Sequence, residues 1–111
     1  MGKPGRTKDA GYTGLPELNR LIHEPARLLL MSLLYVLESA DFVFLMDRTN
    51  LTQGNLSTHM SKLESAGYVE IRKEFVHRRP HTLYLLTTTG REAFLRYRDE
   101  IRQVLEQGDL G

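Results

Sequence analysis

The chain has no cysteine. That absence removes disulfides, thiolate metal sites and cysteine nucleophiles together, and it fits a reducing cytoplasm. Long hydrophobic runs are missing too. The most apolar stretch, residues 28–37, is interrupted by Ser32 and falls well short of the ~20 residues a membrane-spanning helix needs. Residues 1–14, MGKPGRTKDAGYTG, lack the apolar segment of a secretory signal. Neither sign of charge is in excess. A formal net charge of +1 argues for no class of partner, so any nucleic-acid footprint must be local. Catalytic signatures are also wanting, with no nucleophile elbow, phosphate-cradling glycine loop or metal motif. Ser57 stands near His59 without an orienting carboxylate. Of the four histidines, His23, His59, His77 and His81, only His77 and His81 are close in sequence, and no HxxxH falls on a predicted helix. The expectation is a non-enzyme with no metal site, no cofactor and no membrane segment.

What is present is a chain that folds. Its 111 residues are 41% apolar, enough for one domain with a modest core. Residues 1–14 carry Lys3, Arg6 and Lys8 among glycines and read as a flexible basic arm. Residues 15–107 read as one domain. Leu15, Leu18, Leu21 and Ile22 recur at helical spacing and predict a helix over 15–23. Pro25 opens a second helix, to about residue 39, apolar nearly all round and so expected in mid-core. Residues 42–49 predict a third helix, with Asp41 as N-cap and Asn50 tolerating the left-handed turn after it.

The stretch LTQGNLSTHMSKLESAGYVEIRKEF, residues 51–75, holds the most information. Thr52 is a good N-cap and Gly67 a good terminator. Leu56, Met60 and Leu63 form one apolar stripe at i, i+4 and i+7. Gly54, Asn55, Thr58, Ser61, Lys62 and Ser65 lie away from it, and Ser57 and His59 flank it. None of the small polar residues near its start is a strong helix former. Residues 68–75 then alternate as a strand, and residues 83–87 predict a second. VHRRPHT, residues 76–82, reads as a basic connector in which the proline excludes a central strand. Thr88 or Thr89 caps a last helix over 90–107.

Two short helices joined by a tight turn and followed by a basic hairpin make a winged helix-turn-helix. The fold class expected is α+β, mostly α, with a two-stranded hairpin wing and flanking dimerisation helices. This arrangement explains the weak helix formers. A recognition helix enters the major groove N-terminus first, and short hydrogen-bonding side chains let its backbone come close. Thr52, Gln53, Gly54, Asn55, Ser57 and Thr58 suit that approach, and Lys62 suits a phosphate. In the wing, Lys73, His77, Arg78, Arg79 and His81 are the candidate DNA contacts. His59, beside the stripe, reads as half-buried packing.

The segments PARL (25–28), LTQGNLS (51–57), LESAGYV (63–69) and LTTTGR (86–91), taken in order, resemble the small winged-helix DNA-binding transcriptional regulators of the MarR and ArsR types. The resemblance implies a dimer that binds a palindromic operator in double-stranded DNA through the 52–66 helix and the 76–82 wing, and it suggests a repressor. In the last helix Phe94, Tyr97, Ile101 and Val104 recur with spacings 3, 4 and 3, and Leu105 widens the seam. With Leu15, Leu18 and Ile22 they are the candidate dimer interface. Two other functions remain open to the sequence. One is a protein-interaction module with an incidental basic wing. The other is a structured-RNA binder, which the A-form major groove disfavours because it cannot admit a helix. Any small-molecule effector would have to sit at the dimer interface or between the core and the flanking helices.

Overall fold

The computed structural model describes residues 18–110. In chain order the elements are α1 (Pro25–Leu37), β1 (Ser39–Asp41), α2 (Phe42–Thr49), α3 (Gln53–Ser65), β2 (Val69–Val76), β3 (Arg79–Leu86) and α4 (Thr88–Leu110). The strands form one antiparallel sheet in the order β1-β3-β2. This is the expected winged helix-turn-helix with one strand more. The basic arm and Leu15 lie outside the described residues.

The helix expected over 15–23 is replaced, from residue 18 on, by turns. Asn19 is the cause. Its side-chain oxygen accepts from the N–H groups of Leu21 (3.0 Å) and Ile22 (3.1 Å), so a side chain takes donors a longer helix would have used. The residue before Pro25 must also leave the helical region. Glu24 does so, at φ −150°, and its carboxylate caps α1 by accepting from the Arg27 N–H at 2.8 Å.

Helix α1 ends two residues before the expected boundary. Glu38 takes a left-handed φ of 71°, and Ser39–Asp41 turn into a strand that pairs with Leu83–Leu85. Three residues are too few to show alternation, so β1 left no legible signal. Nor does α1 lie wholly inside the core. Leu30, Met31 and Leu34 are fully buried, but Leu29, Val36 and Leu37 are exposed, Val36 at 76%.

The helix-turn-helix follows its capping residues. The Asp41 carboxylate accepts from the Phe44 N–H at 2.7 Å and starts α2. Asn50 ends it at φ 59°. The Thr52 hydroxyl accepts from the Asn55 N–H at 3.1 Å and starts α3. Leu56, Met60 and Leu63 are fully buried against Leu30, Met31, Leu34 and Leu45. Full burial of one such side chain is worth roughly 1.5–3 kcal/mol, so the stripe fixes which face of α3 looks outward.

The hairpin is longer than expected and its turn shorter. Only His77 and Arg78 lie between the strands, at φ 51° and 66°. Two residues of positive φ make the twist-matched hairpin turn that usually takes Asn-Gly. Arg79 to Thr82 therefore belong to β3, which corrects the connector read into residues 76–82. Pro80 is tolerated there for a local reason. The closing pair Val76↔Arg79 exchanges hydrogen bonds, so the next pair, Phe75↔Pro80, does not, and the proline nitrogen faces away from β2. On that side β1 pairs only as far as Leu83, so no ladder bond is lost.

Helix α4 is capped one residue earlier than expected. The Thr87 hydroxyl accepts from the Gly90 N–H at 2.9 Å and donates to the Gly67 carbonyl at 2.6 Å, tying α4 to the end of α3.

Candidate nucleic-acid interface

With 3.6 residues per turn, the face of α3 opposite Leu56, Met60 and Leu63 is Gly54, Thr58, Ser61 and Ser65, flanked by Ser57 and Lys62. All six are exposed. Ser57, Thr58, Ser61, Lys62 and Ser65 line one shallow, open surface. It is a smooth strip of hydroxyls with one cation at its side. Ser61 and Ser65 were not among the sequence candidates, although the period set by the buried stripe was enough to find them. The other candidates sit differently. Gln53 turns toward the sheet, where it lines a cleft of about 320 Å³ with Ser57, Ser61, Lys73, Thr82 and Tyr84. Asn55 is exposed on the far flank, and Thr52 acts first as the cap.

Strand alternation sorts the hairpin into two faces. Ile71, Lys73 and Phe75 face the same way as their partners Tyr84, Thr82 and Pro80, on the side that lines the cleft beside α3. Glu70, Arg72, Glu74, Arg79 and His81 alternate to the other side. Both acids there are paired, Glu70 with Arg72 at 3.0 Å and Glu74 with His81 at 3.2 Å.

His81 also borders the cleft beside α3, and two carboxylates hold its ring. It lies 3.2 Å from Glu74 and 3.4 Å from Asp41, the α2 cap. Hydrogen bonds to Glu74 and then Asp41 raise its pKa above the ordinary histidine value of 6.5. A raised folded-state pKa means that protonated His81 favours the fold. This contribution is complete below pH 6.5 and is lost as pH rises through the raised value. Urea midpoints should fall from pH 6 to pH 8.5 by more in the parent than in His81→Gln. Parallel curves for the two proteins would refute the assignment.

His59 is half-buried, as expected from its flanking position. Arg27 Nη1 donates to its Nδ1 at 3.1 Å, and Arg27 Nε donates to the Leu21 carbonyl at 2.6 Å. One guanidinium thus ties the N-terminal turn and α1 to the inner flank of α3, which sets the helix's roll.

The interface expected on α4 is only partly available. Ile22 is fully buried and Tyr97 is 5% exposed, so neither can meet a second copy. The Tyr97 hydroxyl lies 2.6 Å from His23 Nδ1, and the Phe94 ring packs on Tyr35 at 5.2 Å. These contacts fold α4 onto α1 and the turn before it. Leu18, Ile101 and Val104 are half-buried and Leu105 is exposed. Among the described residues no helix is long and apolar enough to cross a membrane, and no three His, Cys, Asp or Glu side chains gather as a metal site.

A capped helix-turn-helix with an outward hydroxyl strip, next to a hairpin with a basic turn, defines a winged-helix DNA-binding domain. The chain belongs to the family described as winged helix DNA-binding domain, which matches residues 26–105. An uncharacterised protein of Methanocaldococcus jannaschii is 39% identical over 85 residues, 77% of this chain and 92% of the relative. A transcriptional regulator homologue from Pyrococcus horikoshii shares the fold with a TM-score of 0.77 and 30% identity, over 82% of this chain and 90% of that one. The transcriptional regulator BldR from Sulfolobus solfataricus, at 22% identity and TM-score 0.61, shares the fold over 86% of this chain and 64% of its own.

Proposed function

We propose that the protein is a sequence-specific regulator of transcription that acts in the cytoplasm as a homodimer and represses by occupying a palindromic operator. The α3 strip carries this reading. Thr58 and Ser61 offer donors and acceptors at base edges, Gly54 and Ser65 allow close approach, and Lys62 reaches a phosphate. Arg78 and Arg79 at the wing tip supply further phosphate or minor-groove contacts. The names of the regulators that share the fold support the class. Exposed apolar side chains support the dimer, Leu29 and Val36 seven residues apart on one face of α1 and Leu105 on α4. A two-fold dimer would set two copies of α3 about one DNA turn apart.

Selection of bound sequences from random duplex DNA tests the class. A palindromic motif is expected, and recovery of unrelated sequences would defeat operator recognition. Sedimentation equilibrium tests the dimer. Val36→Asp combined with Leu105→Asp should give monomers that keep the parent's circular dichroism spectrum, since neither side chain packs in the protomer's own core. A parent that is monomeric at micromolar concentration would reject the homodimer.

Arg78 separates shape from charge. At φ 66° a glycine is less strained than arginine by about 1 kcal/mol. Arg78→Gly should therefore raise stability by about that much. It should also lower the slope of log affinity against log salt by about 0.9, the loss of one phosphate contact. An unchanged slope would remove Arg78 from the DNA contacts.

A further inference from the structure

We propose that Phe75 is a wedge that inserts between base pairs in the minor groove and bends the operator, an inference that rests on the DNA-binding reading above. The ring is 76% exposed, one residue pair from the wing tip. An exposed phenylalanine forgoes the transfer free energy that burial would give it, so its position calls for an occupant. The strand register puts it on the cleft side of the hairpin, with Lys73 and Thr82, the side that α3 also borders. A duplex read by α3 would meet this face. From Val69, buried in the core, six residues of strand carry Phe75 about 20 Å outward. Half a helical turn of DNA, about 17 Å, separates a major groove from the adjacent minor groove.

Charge favours DNA over other occupants. Both hairpin acids lie on the opposite face and are tied to Arg72 and His81. The Phe75 face holds Lys73 and no carboxylate, and the turn beside it adds Arg78. A second copy docked ring to ring would bring two sets of wing-tip arginines together, which like charge opposes. Phosphates on both sides of a minor groove would instead be neutralised by them. The support is stiff, because Phe75 pairs directly with Pro80, whose φ is fixed. Apolar side chains on such supports unstack a base step and kink the duplex. Pyrimidine–purine steps deform most easily, so the wedge would add preference for TA or CA at a position that α3 does not touch.

The test uses the full chain and the sequence recovered by selection. 2-Aminopurine is walked through the flanks of each half-site, and the ends carry a donor and acceptor pair for bending. The parent should brighten 2-aminopurine at one step per half-site and shorten the end-to-end distance. Phe75→Ala should abolish both signals and weaken binding about 10-fold, as expected for losing one stacking contact. Its melting temperature and salt slope should not change. Phe75→Leu, which keeps an apolar wedge, should retain most of the bend. Tight binding without brightening at any flank, or bending that survives in Phe75→Ala, would overturn the wedge alone. Failure of the parent to bind any duplex would overturn the DNA-binding reading and the wedge with it.

Discussion

Gly90→Ala is expected to destabilise the fold by about 3 kcal/mol, the upper range for a single overpacking change. A Cβ at this position would fall on the Tyr68 carbonyl oxygen, with Leu86 Cδ1 at 3.0 Å. The carbonyl cannot swing aside freely, because it accepts from the Thr87 N–H at 3.1 Å. Thr87 in turn holds the Gly90 N–H and the Gly67 carbonyl. Relief would have to lift the start of α4 away from β2, exposing Ala93 and Tyr97, both buried in the parent. Alanine's better helix propensity offsets at most about 1 kcal/mol. Gly54→Ala is the control. Nothing lies within 4 Å of its Cβ position, so that variant should gain up to about 1 kcal/mol. Urea unfolding of both would decide the matter, and a Gly90→Ala midpoint equal to the parent's would refute the close-approach argument.

Thr58→Ala is expected to cost about 1–3 kcal/mol of binding to the selected operator, the range for a lost base contact, and almost nothing on scrambled duplex. Thr58 is exposed and lies within the outward strip of α3, so its removal should leave folding intact. Lys62→Ala should behave oppositely, losing similar affinity on both duplexes, because a phosphate contact carries no sequence information. Titrations of each variant against the two DNAs would separate the roles. Equal losses for Thr58→Ala on both would move that residue to the phosphate class.

Helix α3 is the most legible part of the chain. Its cap, its stripe and its terminator are each local signals, and they agree. Asn50 and Asp41 likewise act on their immediate neighbours, so α2 and the turn after it could be placed without a structure. The class followed from the order of these elements.

Most of the differences lie where a partner distant in sequence decided the outcome, and the first is a local bond that outweighed the apolar period. The apolar spacing of Leu18, Leu21 and Ile22 fitted a helix, but Asn19 had a competing local bond and Ile22 went to the core. Ser39–Asp41 became a strand only because Leu83–Leu85 lay beside it. His81 looked like a basic wing residue, and the sheet turned it toward Asp41, 40 residues away. The spacing of Tyr97 fitted a dimer seam, but the side chain is buried in its own domain with its hydroxyl on His23, 74 residues away. The sequence by itself determined the caps, the periods and hence the outward face of α3, because those depend on interactions within a few residues. Only the tertiary structure decided which apolar side chains stay outside and which face of the wing holds the acids. Those outcomes depend on strand register and on what packs against each element, and neither is written in local spacing.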